Sequence, residues 1–131
     1  LTPPAVSDGC THAYYQYAMK FDEGSAGISR ALFAKAMRAE GVSVAEGYLR
    51  PIYMEPMYQK RIAYGSGHFP FEETESVSYK VGLCPVVERL WKSELITTDI
   101  CKYPNSEREV EEFVRAVEKV SSNINQLLTM K

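Results

Sequence analysis

The chain has 131 residues, 45% of them hydrophobic, and a net charge of −2, which fits one compact domain with a buried core and excludes wholesale disorder. A pI near 5.7 with scattered basic residues excludes an electrostatic nucleic-acid binder, whose affinity needs clustered cations. No apolar run approaches the about 20 residues that span a bilayer and no signal peptide is visible, so no membrane partner is expected and a cytoplasmic location is.

The chain opens Leu1-Thr2-Pro3-Pro4 without a Met, which predicts a fragment or a trimmed product. Residues 1–11 read as an irregular lead-in with a turn at Ser7-Asp8-Gly9. From Ala13 to Phe21 the pattern alternates, placing Ala13, Tyr15, Tyr17, Met19 and Phe21 on one face of a predicted strand. Asp22 to Ser25 turns the chain. Ser29 can cap a helix over Arg30–Glu40, which Gly41 would stop. Its apolar stripe is Leu32, Phe33, Ala36 and Met37, with Arg30, Lys35 and Arg38 on the solvated side.

Val42 and Val44 predict a short strand, broken by Gly47 to Pro51. Residues 54–73 carry Pro56, Gly65, Gly67 and Pro70 and read as a long irregular stretch, the kind that serves function or covers an interface. Tyr64, Phe69 and Phe71 within it would be awkward if fully exposed. Pro85 can open a short helix to about Lys92, with Val86, Val87, Leu90 and Trp91 as its buried side. Residues 95–101 are rich in β-branched side chains and predict a strand.

Ser106-Glu107-Arg108-Glu109 is a capping box. Val110, Phe113, Val114, Val117, Val120, Ile124, Leu127 and Leu128 then predict one continuous helical stripe. The order β-α-β-loop-α-β-α predicts an α+β fold, a small three-stranded sheet with helices packed on one face, forming a single small domain over residues 1–131.

The residues themselves show little chemistry. There is no phosphate-binding glycine loop, HExxH, nucleophile elbow or paired CxxC. The acidic groups Glu72-Glu73-Thr74-Glu75, Glu107-Arg108-Glu109 and Glu111-Glu112 lack a partner base or nucleophile and read as solvated loop and helix N-terminal charge. Cys10, Cys84 and Cys101 are odd in number and widely spaced, so neither a disulfide framework nor a zinc site is expected. They read as buried or half-buried thiols. His12 and His68 each either orient a substrate or bond to backbone. Nine tyrosines fit a surface that faces another domain, or one that stacks on carbohydrate.

Several segments in order carry a resemblance: His12 to Tyr17, Ile28-Ser29-Arg30 through Gly41-Val42, Gly47-Tyr48-Leu49-Arg50-Pro51-Ile52-Tyr53, and Cys84 to Leu90. Together they are similar to the C-terminal domain of the DegT/StrS family of sugar aminotransferases, the last segment resembling the branch that acts on keto-cyclitols. The resemblance implies the small domain of a fold-type-I enzyme that uses pyridoxal phosphate as electron sink to move an amino group. In that family a large domain carries the cofactor and its Schiff-base lysine. No counterpart of that domain is expected here, and none of the eight lysines takes that role. The implied partners are such a large domain or a second chain, in a homo-oligomer, and this chain alone is expected to bind no cofactor and to supply no catalytic residue. Tyr48, Arg50, Tyr53 and His12 are the implied substrate contacts. Leu49 and Arg50 displace the second proline usual in that loop. The competing reading is a stand-alone binding or dimerisation module that reuses the fold without the chemistry.

Overall fold

Strand β1 (Tyr17–Lys20) is shorter than its alternating pattern predicts. The computed structural model, which describes residues 1–65, 67–73 and 77–129, shows why. Tyr14 takes a left-handed backbone with φ 46°, and that breaks the extended run before Gln16. Tyr15 is consequently exposed instead of sharing the buried face of Met19 and Phe21. The lead-in is tied back at one point, where Thr2 and Lys20 exchange backbone hydrogen bonds of 2.8 and 2.9 Å.

The chain divides into two compact units, residues 1–48 with 92–131, and residues 49–91. In the first, β3 (Leu95–Thr98) lies between β1 and β2 (Ala45–Glu46), antiparallel to both. Strand β2 sits just beyond the Val42–Val44 position expected of it. The hydroxyls of Thr97 and Thr98 donate to the Gly47 and Ser43 carbonyls at 3.0 and 2.8 Å. These bonds satisfy two buried polar groups and tie the β2 segment to β3.

Asp22 caps a short helix, α1 (Glu23–Ala26), where a bare turn was expected. Helix α2 (Arg30–Ala39) begins where Ser29 accepts from the Leu32 N–H, and the chain leaves it through Gly41 at φ 86°, a conformation that costs glycine little. Helix α5 (Glu107–Ser122) opens on the expected capping box: the Ser106 N–H donates to Glu109 Oε2 at 2.7 Å. Ser106→Ala is expected to cost about 1 kcal/mol, read from chemical denaturation. Helix α6 (Ile124–Thr129) follows a break at Asn123. The predicted continuous stripe is therefore two helices.

Met19 and Ile96 stand side by side in register. Both enter one core with Phe21, Ile28, Phe33, Ala34, Met37, Val44, Phe113, Ala116 and Val120, so α2 and α5 cover that sheet face. The mixed α+β layer thus agrees with the sequence. Two side-chain expectations do not hold. Arg30, expected in solvent, is buried. Val110, Val114 and Leu128, expected in the stripe's buried face, are exposed; α5 turns Phe113, Ala116 and Val120 inward instead.

The second unit holds a turn at Ile52–Met54, helix α3 (Pro56–Gln59), a turn at Phe71–Glu73, and helix α4 (Pro85–Arg89). Its core is aromatic: Tyr58, Phe71 and Tyr79 meet with ring centroids 5.2 to 5.9 Å apart. Phe71 is buried as expected, while Tyr64 and Phe69 are exposed. Val86 and Val87, read as the buried side of α4, face solvent, and Glu88 is buried instead. Its partners, described below, set that rotation. Cys10 and Cys101 are exposed and Cys84 is half-buried, so two of the three thiols depart from expectation.

Candidate functional site

Where β1 begins and β3 ends, the first unit gathers polar and aromatic side chains. The His12 ring stacks on Tyr14 at 4.2 Å, and Tyr14 tilts against Tyr17 at 5.1 Å. The Tyr14 N–H donates to His12 Nδ1 at 2.9 Å, so in the neutral imidazole the proton sits on Nε2 and points away from the backbone. Burial, then the neighbouring Tyr14, push the Tyr17 hydroxyl above its ordinary value.

Beside this stack, Lys102 lies 4.6 Å from the Tyr15 ring centroid and 2.7 Å from Asp99 Oδ1. Gln16 Nε2 donates to the same oxygen at 3.3 Å. The bond from Lys102 holds the Asp99 carboxyl below its usual range, and the same bond raises Lys102. Tyr48 is about half exposed, and its charge when ionised also acts on Lys102. Sequence reasoning reached His12 and Tyr48. It missed Tyr15, Gln16, Asp99 and Lys102, which meet only when β1 and β3 pair.

Arg50 and Tyr53 belong to the second unit. Arg50 is exposed, with its side chain in solvent. Tyr53 is buried, and its hydroxyl donates to Glu88 Oε1. The same oxygen accepts from the Gly82 N–H at 2.6 Å. Gln59 Nε2 reaches both the Tyr53 and Tyr79 carbonyls, at 2.6 and 2.7 Å. Tyr53 therefore fastens three segments of this unit together. His68 Nδ1 lies 2.9 Å from the Arg61 carbonyl, a backbone bond. In the acidic stretch Glu72 and Glu73 are exposed, while Thr74 and Glu75 lie outside the described residues.

Burial first, then the hydrogen bond and charge of Glu88, push the Tyr53 hydroxyl up to about 12. A group whose folded value is raised favours the protonated state on folding. Its contribution to stability is complete below the unfolded value near 10 and is lost as pH rises towards about 12. Thermal unfolding measured across that alkaline window should therefore fall more steeply for the wild type than for Tyr53→Phe. Superimposable profiles would show that the pair contributes nothing.

Residues 1–99 match the DegT/DnrJ/EryC1/StrS aminotransferase family. The chain belongs to that family. The match runs through the whole sheet and the second unit and stops before α5. The spore coat polysaccharide biosynthesis protein SpsC of Bacillus subtilis (strain 168) is 34% identical over 73 residues, a stretch covering 53% of this chain and 18% of that protein.

Against the pyridoxal phosphate that this aminotransferase family implies, the described lysines can be tested one by one. A Schiff-base lysine must lose its proton and face the cofactor in a site shielded from water. Lys102 is held protonated by Asp99. Lys20 lies 3.7 Å from Glu94, and Lys119 lies 2.6 Å from Glu40. Lys35, Lys60, Lys80 and Lys92 are exposed. No described lysine is buried, so the described residues do not fit the covalent anchor of that cofactor. Among the described residues no helix is long and apolar enough to cross a membrane.

Proposed function

We propose that this chain forms the small domain of a pyridoxal-phosphate-dependent aminotransferase acting on a keto-sugar or keto-cyclitol. In that reading it packs beside a cofactor-bearing large domain, or a second chain, in a cytoplasmic homo-oligomer and helps to close the active site. The observation that carries it is a family match spanning the sheet and the second unit in a chain whose described lysines are all exposed or half-buried. Exposed apolar side chains support a covered surface: Val81, Leu83, Val86 and Val87 crowd one short stretch of the second unit, more than an isolated soluble surface favours. His12 and Tyr48 in the first unit, and Arg50 in the second, are each exposed and offer a polyhydroxylated substrate a ring donor, an aromatic face and a guanidinium. Tyr53 acts within the second unit, by fixing the turn that follows Arg50.

Mixing the chain with pyridoxal phosphate, trapping adducts with borohydride and mapping them by peptide mass tests this. Modification should be substoichiometric and spread over several exposed lysines. One lysine modified to one equivalent, together with transfer of an amino group, would overturn the assignment of the cofactor to another domain.

A further inference from the structure

A cavity of about 380 Å³ in the second unit is lined by Tyr58, Gln59, Arg61, Val77, Ser78, Tyr79 and Lys80. None of these residues belongs to the predicted substrate contacts. Two cations share the lining and no described carboxylate does, although the chain as a whole carries a net charge of −2. Two backbone carbonyls of the lining already accept hydrogen bonds. The Val77 carbonyl accepts from Arg61 Nη2 at 2.8 Å, and the Tyr79 carbonyl accepts from Gln59 Nε2 at 2.7 Å.

Donors remain. Arg61 has further N–H groups beyond the one bonded to Val77. The Ser78 hydroxyl oxygen accepts from the Lys80 N–H at 3.4 Å, which leaves its own proton to donate. Lys80 Nζ has no ion-pair partner among the described residues. Arg61 also holds a left-handed backbone at φ 53°, a conformation uncommon for a residue with a side chain. Its carbonyl is pinned by His68 at 2.9 Å and its guanidinium by Val77. The backbone reversal and the bond to Val77 together hold the guanidinium at the cavity.

We infer that this cavity binds the phosphate group of a small phosphate ester, with Arg61, Lys80 and Ser78 as donors and the Tyr58–Tyr79 wall against the organic part. A guanidinium and an ammonium around one dianion are the donor set that phosphate recognition uses. The half-buried tyrosines, 5.2 Å apart, give the remainder of the ligand a surface on which to pack. The inference is independent of the amino-transfer reading, since neither a cofactor nor a second chain enters it.

The test is a titration of the 131-residue chain, followed by amide chemical shifts, with ribose 5-phosphate, inorganic phosphate and ribose. Ribose 5-phosphate should give saturable shifts at residues 58–61 and 77–80, inorganic phosphate weaker ones at the same amides, and ribose none. Lys80→Gln, which removes no ion pair among the described residues, should weaken ribose 5-phosphate about tenfold, the loss expected for one charge-assisted contact. Arg61→Gln should weaken it at least as much, and Lys80→Gln decides the matter if Arg61→Gln disturbs the loop. Absence of saturable shifts, or unchanged affinity in Lys80→Gln, overturns the site. Equal affinity for inorganic phosphate and ribose 5-phosphate overturns the role of the tyrosine wall and leaves free phosphate as the ligand.

Discussion

Phe33→Ala is expected to lower the stability of the first unit by about 3–5 kcal/mol. Phe33 is only 2% exposed, and its ring meets that of Phe21 at 4.9 Å with the planes 34° apart. It sits on α2 in the same cluster as Ile96 of β3 and Phe113 of α5, so its removal opens a cavity where helix and sheet layers join. Neither layer can collapse into that space without breaking register, because β3 is hydrogen-bonded on both edges. The penalty is therefore the lost transfer energy plus an unrelieved void. Against a total of about 5–15 kcal/mol for a typical domain, that is enough to populate the unfolded state at modest urea. Urea denaturation followed by far-ultraviolet dichroism measures it. A loss below about 1 kcal/mol would mean that the site relaxes and that Phe33 does not bridge the layers.

Where local rules decide the structure, the sequence could be read. Ser29 and Gly41 delimit α2, and Ser106 with Glu109 opens α5, because caps depend on residues three or four positions away. The alternating run before Phe21 predicts a longer strand than forms, because a backbone turn at Tyr14 leaves no trace in hydrophobicity. Glu88 was beyond reach for a different reason. Its neighbours Val86 and Val87 are the apolar ones, and periodicity turns them inward. The helix is rotated instead by a bond to Tyr53, 35 residues away in the chain.

The candidate site divides along the same line. His12, Tyr48 and Arg50 were found through segment resemblance, and all three are accessible. The Asp99–Lys102 pair beside Tyr15 and Gln16 was not, because no motif marks it and only the β1–β3 pairing assembles it. Arg61 and Lys80 lie in different segments of the second unit, so a count of scattered cations hid a shared cavity.

Arg30 shows the largest gap between local pattern and tertiary role, and it carries the second large expected effect. Its Nη1 and Nη2 donate to the Leu95 and Lys92 carbonyls at 3.0 and 2.8 Å. Its backbone N–H donates to Glu23 Oε1 at 2.8 Å. Lys92 lies within the wide turn at Leu90–Glu94, and Leu95 is the first residue of β3, which follows it. One planar guanidinium thus spans the turn and the first residue of the central strand, fixing where the strand starts. Arg30→Met keeps much of the packed stem but leaves those part-buried carbonyls without that donor, and is expected to cost about 1–3 kcal/mol. Arg30→Lys keeps the charge and loses the fork, because an ammonium cannot match both directions at once. It should fall between wild type and Arg30→Met. Hydrogen exchange locates the effect: protection should drop first at the amides of residues 92–97, ahead of α5. If Arg30→Lys is as stable as wild type, the bidentate geometry is not what fixes the start of β3. If Arg30→Met is also neutral, water replaces the guanidinium there and the burial of Arg30 is incidental to the sheet.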